Sequence, residues 1–147
     1  NRLHTLATDP DPTVRLAVAT AARQLVSGSL TVDTPVPAGA EKLPTGQILV
    51  SLIESSADGK EPLLPFMIWM AGEPVVAINP GRGLDWLAEH GAETLPLSAK
   101  LARKAMRRIC DTQDPAKLDL AAGFLKRIDD NALVLAALEG LIEGQKA

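Results

Sequence analysis

The dipeptide Asp11-Pro12 constrains this chain more than any other feature. An aspartate carboxylate accepts from the unpaired backbone N–H groups of a helix's first turn. A proline directly after it takes the first helical position, where its missing N–H costs nothing. From there apolar residues fall at Val14, Ala17, Val18, Ala21 and Leu25, the i, i+3, i+4, i+7, i+11 stripe of an α-helix. Leu16, Ala19 and Ala22 widen the apolar surface with mostly small residues. The helix predicted over 12–26 therefore packs closely on more than one neighbour, and Ser27-Gly28 stops it.

The same pattern recurs along the chain. Residues 1–7 read as the end of a helix, with Leu3, Leu6 and Ala7 on its apolar side. Ile48, Leu49, Leu52 and Ile53 define a helix over 45–56. Leu64, Ile68 and Ala71 define another over 62–78, in which Pro65 is tolerated near the start and Pro74 is expected to stop or bend it. Asn79-Pro80-Gly81 is a turn. Leu84, Leu87 and Ala88 mark a short helix over 82–90, followed by a longer one over 96–112. Asp114-Pro115 repeats the cap-then-proline start for 115–128, whose stripe is Leu118, Ala121, Ala122 and Leu125. Asp129-Asp130 caps the last helix, 131–143, with Leu133, Ala137, Leu138 and Leu141. The stretch 27–45, with Pro35, Pro37, Gly39 and Pro44, has no helical period and reads as an irregular insertion forming a surface loop.

Eight helices and no strand follow from this reading, so the fold class is all-α. Short connections pair the helices as 1–7 with 12–26, 45–56 with 62–78, 82–90 with 96–112, and 115–128 with 131–143. The later pairs start about 33 to 37 residues apart, within the range of helical-hairpin repeats. Such hairpins bury their faces only by stacking, so the expected architecture is one α-α superhelix of about four helical pairs.

Composition agrees. Aromatics are 3% of the 147 residues, with no tyrosine, and the hydrophobic fraction is 46%. The core is thus built from Leu, Ala, Val and Ile, which suits close helix packing. A net charge of −3 gives no electrostatic case for nucleic acid. Cys110 is the only cysteine, so no intrachain disulfide forms. The apolar run 63–78 is broken by Pro65, Gly72, Glu73 and Pro74 and falls short of the ~20 residues a membrane span needs. The chain begins at Asn1 and ends at Ala147 without a terminal motif, and reads as a fragment of a larger protein.

Asp9-Pro10-Asp11-Pro12-Thr13-Val14-Arg15, followed by an alanine-rich helix, resembles the HEAT-repeat pattern of the HEAT/armadillo class. Asp114-Pro115 with Leu118 and Ala121-Ala122 is a weaker match without the Val-Arg. The resemblance implies that Asp11, Pro12, Val14 and Arg15 form a structural repeat motif, with Asp11 and Arg15 serving packing between repeats. A narrower resemblance rests on Leu64-Pro65-Phe66-Met67-Ile68-Trp69 and Glu73-Pro74. It is similar to the helical region of large exported bacterial proteins that look like a sugar-dehydrogenase-type propeller, then HEAT repeats, then a c-type cytochrome domain. That resemblance implies a periplasmic spacer within a haem-containing, oxidoreductase-like protein. The chain has no CxxCH, so the haem would belong to another domain.

Candidate sites are few. On a helical wheel of 96–112, Leu97, Leu101, Ala102, Ala105, Met106, Ile109 and Cys110 occupy a wide apolar arc. Lys100, Arg103, Lys104, Arg107 and Arg108 fill the rest, with Asp111 among them. In a HEAT superhelix the second helix of a pair usually lines the concave side. The stripe reads first as a solvated face, and its functional reading, as the candidate interaction surface, is contact with an anionic patch of a partner or with phosphate groups. Trp69 lies near the Leu64/Ile68 stripe and reads as core. Trp86, beside Glu89 and His90, is expected to be half exposed and joins the candidate surface. His4 and His90 are far apart and no Cys/His cluster exists, so no metal site is expected. No catalytic or cofactor-binding residue emerges. The expectation is a non-catalytic scaffold or spacer whose partner is another protein or a neighbouring domain. The alternative is a nucleic-acid-binding HEAT-like module using the basic concave stripe, as in certain DNA glycosylases; a bilin-lyase-like enzyme ranks third.

Overall fold

The structure, a computed structural model, describes residues 2–26, 29–31, 34–35, 45–57 and 59–146. Eight α-helices occur among them: α1 (Arg2–Leu6), α2 (Pro12–Val26), α3 (Thr45–Ser55), α4 (Leu64–Ile78), α5 (Gly81–His90), α6 (Leu97–Thr112), α7 (Pro115–Arg127) and α8 (Asn131–Gln145). A 3₁₀ turn, Gly91–Thr94, joins α5 to α6. The chain is all-α. Within the stretch expected to be irregular, a short ribbon pairs β1 (Ser29–Thr31) antiparallel with β2 (Thr34–Pro35). The remainder of the insertion expected over 27–45 lies outside the described residues, apart from Thr45, which begins α3.

The caps act as the sequence implies. Thr13 N–H donates to Asp11 Oδ1 at 2.8 Å, Ala116 N–H to Asp114 Oδ1 at 3.0 Å, and Ala132 and Leu133 N–H to Asp130 Oδ1 at 2.9 and 3.1 Å. Two boundaries move by two residues, and Pro74 moves none. α4 starts at Leu64 rather than 62, because Glu61 Oε2 accepts from Leu64 N–H at 2.6 Å and places the cap after Pro62. Pro74 does not stop α4. It takes away the N–H that the Met70 carbonyl would accept, but Asn79 N–H donates to Val75 O at 2.8 Å and closes the final turn. α8 continues past 143 to Gln145.

The chain divides into two compact units, Asn1–Pro74 and Val75–Ala147. In the first, α1, α2 and α3 contact one another and β1 lies against α2. The buried face of α2 is not the predicted stripe. Val18 is buried, but Val14, Ala21 and Leu25 are only half-buried and Ala17 is exposed. Arg15, Ala19 and Ala22 are buried beside Val18 instead, so the inward face is turned toward an arginine that hydropathy alone assigns to solvent. Ala7, Ile48, Leu52, Ile53, Leu64, Ile68 and Ala71 are also buried.

In the second unit α5 packs on α7 and α6 on α8, while α6 also meets α5 and α7. Leu84, Leu87, Ala102, Met106, Ile109, Ala121, Phe124, Ile128, Leu133 and Ala137 form one core cluster. The α6–α8 contact is close because α8 presents glycine to it. A Cβ at Gly140 would lie 2.2 Å from the Arg103 carbonyl oxygen. One at Gly144 would lie 2.8 Å from the Arg107 carbonyl oxygen and 2.5 Å from Cys110 Cβ. The matched steps, Arg103 with Gly140 and Arg107 with Gly144, make the two helices parallel. This close seam also displaces the predicted apolar stripe: Leu138 is 43% exposed while the two glycines are buried. Polar ties add to these contacts. Arg127 Nη2 meets Asp85 Oδ1 at 2.7 Å between α7 and α5. Lys117 Nζ donates to Ala77 O at 2.6 Å, satisfying a carbonyl in the last turn of α4.

Candidate interaction surface

Two groups of residues stand out, the Asp11–Arg15 turn and the outward side of α6. In the turn, Asp11 N–H donates to Asp9 Oδ1 at 2.8 Å, so one aspartate folds the loop and the next caps the helix. Pro12 opens α2, and Val14 and Arg15 N–H both donate to Asp11 O, at 3.1 and 3.3 Å. Arg15, only 9% exposed, turns its guanidinium back across the loop. Its Nη1 donates to Asp9 O at 2.6 Å and Pro10 O at 3.1 Å. Its Nε donates to Ser56 Oγ at 3.1 Å, just past the end of α3. One planar cation therefore ties the α1–α2 turn to the far end of α3. This is a packing role, and it uses three of the five guanidinium donors.

The apolar arc of α6 is buried from Leu97 through Leu101, Ala102, Ala105 and Met106 to Ile109, while Cys110 is half-buried. Lys100, Arg103, Lys104 and Arg107 are exposed, and Arg108 is partly buried. Arg103 is held by α8: its Nε donates to Glu143 Oε1 at 3.0 Å, its Nη2 also pairs with that carboxylate, and its Nη1 lies 3.4 Å from Glu139 Oε2. The Arg103 guanidinium hydrogen-bonded to it, with the charges of Arg107 and Lys104 nearby, holds the Glu143 carboxyl below its ordinary value. The carboxylate in turn raises Arg103. Among the described residues Lys100, Lys104 and Arg107 form no ion pair. The exposed cations thus share their face with two carboxylates that the sequence reading passed over. Only the 40-residue separation of Arg103 and Glu143 hid them: the α6–α8 register brings them together.

Beside this row an open groove runs between α6 and α8, lined by Ala99, Lys100, Arg103, Ala132, Leu135, Ala136 and Glu139. Leu135 is 60% exposed there. Trp86 does not belong to this groove. It is half-buried on α5, packs against the core cluster, and stacks at a tilt on His90 with ring centroids 5.4 Å apart. Trp69 is half-buried rather than fully in the core. His4 Nε2 lies 3.1 Å from Ser51 Oγ, a tie between α1 and α3. No group of three or more His, Cys, Asp or Glu side chains among the described residues is placed to hold a metal ion. No described helix is long and apolar enough to cross a membrane. Comparison of the chain with protein-family models, curated proteins and solved structures returned no match.

Proposed function

We propose that this chain is a non-catalytic helical-repeat scaffold of HEAT type, which presents the outward side of α6 to a protein partner or to a neighbouring domain of a longer protein. The observation that carries this reading is the α6–α8 seam. Glycine contacts at Gly140 and Gly144 and the Arg103 pairs with Glu139 and Glu143 fix a row of exposed cations on a packed frame. Repetition supports the solenoid part of the proposal. α5 and α7 begin at 81 and 115, and α6 and α8 at 97 and 131, the same 34-residue step in each case. Stacking of first helix on first helix and second on second is how hairpin repeats bury faces that one hairpin leaves open.

The test is site-specific photo-crosslinking in the cells of origin. A photoreactive residue at position 104 is expected to yield protein adducts, and one at the exposed Asp119 of α7 is not. Equal yields at both positions would sink the reading, as would reproducible turnover of a substrate by the isolated chain. Nucleic-acid adducts from position 104 would favour the alternative of a nucleic-acid-binding module.

A further inference from the structure

We propose that the groove between α6 and α8 receives an acidic amphipathic helix of a partner protein, one apolar side chain resting on Leu135 and carboxylates meeting Lys100 and Lys104. This assignment rests on the scaffold reading above and names the chemistry of its partner.

Ala99, Ala132 and Ala136 in the groove lining are small side chains that let another backbone come near. Leu135 stands at its edge with most of its surface in water. Covering such a side chain is favourable by the usual measure of apolar burial. The charges around the groove select what covers it. Arg103 pairs directly with Glu139 and Glu143, and the charges of Arg107 and Lys104 also act on Glu143, while among the described residues Lys100, Lys104 and Arg107 form no direct ion pair. Lys100, Arg103, Lys104 and Arg107 outnumber Glu139, Glu143 and Asp111, so the face is net positive.

Spacing narrows the partner further. Lys100 and Lys104 are one turn apart on α6, about 6 Å along its axis, and Arg107 lies roughly another 4.5 Å on. Carboxylates at i, i+4 and i+7 of a second helix match that ladder, and helices pack with axes about 8–10 Å apart. A nucleic-acid backbone fits less well. Its phosphates would leave the apolar lining and Leu135 unused.

The probe is a fluorescent alanine-based helical peptide with glutamates at i, i+4 and i+7 and one leucine on the adjoining stripe. Its binding to the full chain is read by anisotropy at low salt, where surface charges are least screened. Saturable binding is expected, weakened about tenfold by Leu135→Ser or by serine in place of the peptide's leucine. The double variant Lys100→Glu, Lys104→Glu should abolish it, and a peptide with lysine in place of glutamate should bind that variant instead. All substituted positions are exposed, and a circular-dichroism melt of each variant checks the fold. The proposal is overturned if Leu135→Ser has no effect, if a scrambled peptide of equal composition binds as well, or if duplex DNA binds more tightly. Failure of the folded chain to bind the peptide also overturns the groove assignment. It leaves the broader scaffold reading to the crosslinks from position 104.

Discussion

Arg15 shows how a single side chain organises its surroundings. It is a charged group inside the first unit, and Asp9 O, Pro10 O and Ser56 Oγ take three of its five donors there. Removing it leaves two turn carbonyls and a hydroxyl without that partner. Arg15→Ala should therefore destabilise the chain by roughly 3 kcal/mol in denaturant titration. Arg15→Lys should recover only part, since a point charge on a flexible stem cannot reach three acceptors in a planar fork. Glu143 carries a second prediction. Its carboxyl titrates lower folded than unfolded, so the stability it contributes is full above its ordinary value of 4.5 and is lost as pH falls through the folded value. NMR titration should place its midpoint below 4.5, and Arg103→Met should move that midpoint upward. Glu143 is exposed, so the effect on melting temperature will be small and will shrink with salt.

At the scale of elements, the helices were legible because their ends are chemically marked. Asp11-Pro12 and Asp114-Pro115 start helices by the same geometry, and Asp130 caps α8 with two bonds. Which face of each helix turns inward was less legible. In α7 the stripe Leu118, Ala121, Ala122 and Leu125 gives way to Ala121 and Phe124, and Leu118 is 37% exposed. In α8 leucines at 135 and 138 look outward while glycines look inward. Hydropathy gives glycine little weight, yet a close helix crossing selects it. Gly140→Ala should cost about 1–3 kcal/mol, because the carbonyl of Arg103 is backbone and cannot turn aside. In a chain of 147 residues that lowers the melting temperature by roughly 2–4 °C per kcal/mol. Gly123→Ala on α7 is the control. Nothing lies within 4 Å of the added Cβ, so it should stabilise by about 0.5–1 kcal/mol through helix propensity. If the two variants melt alike, the close α6–α8 seam is wrong.

For the molecule as a whole, the division after Pro74 falls inside α4, and each part carries buried residues of its own. All ten residues of the second unit's core cluster lie between Leu84 and Ala137. A fragment of residues 75–147 should accordingly be helical by circular dichroism and melt cooperatively, at a low temperature given its size. A broad, non-cooperative melt would contradict an independent core. The candidate surface belongs to this scale as well. Lys100, Arg103, Lys104 and Arg107 could be read as a stripe from one helix, but the acids that share it sit on another. Their meeting depends on the register of two helices separated by α7, which no local pattern encodes.

The glycine pair also has a consequence for inheritance. Any change at the first or second base of a glycine codon installs a side chain or a stop, and every such side chain brings a Cβ. At positions 140 and 144 that atom meets the carbonyl oxygens of Arg103 and Arg107. The frame under the basic row thus rests on two sites for which the genetic code has no near substitute. The lysines displayed on it are exposed and can be exchanged one codon at a time, so the charge pattern can evolve while its mounting stays fixed.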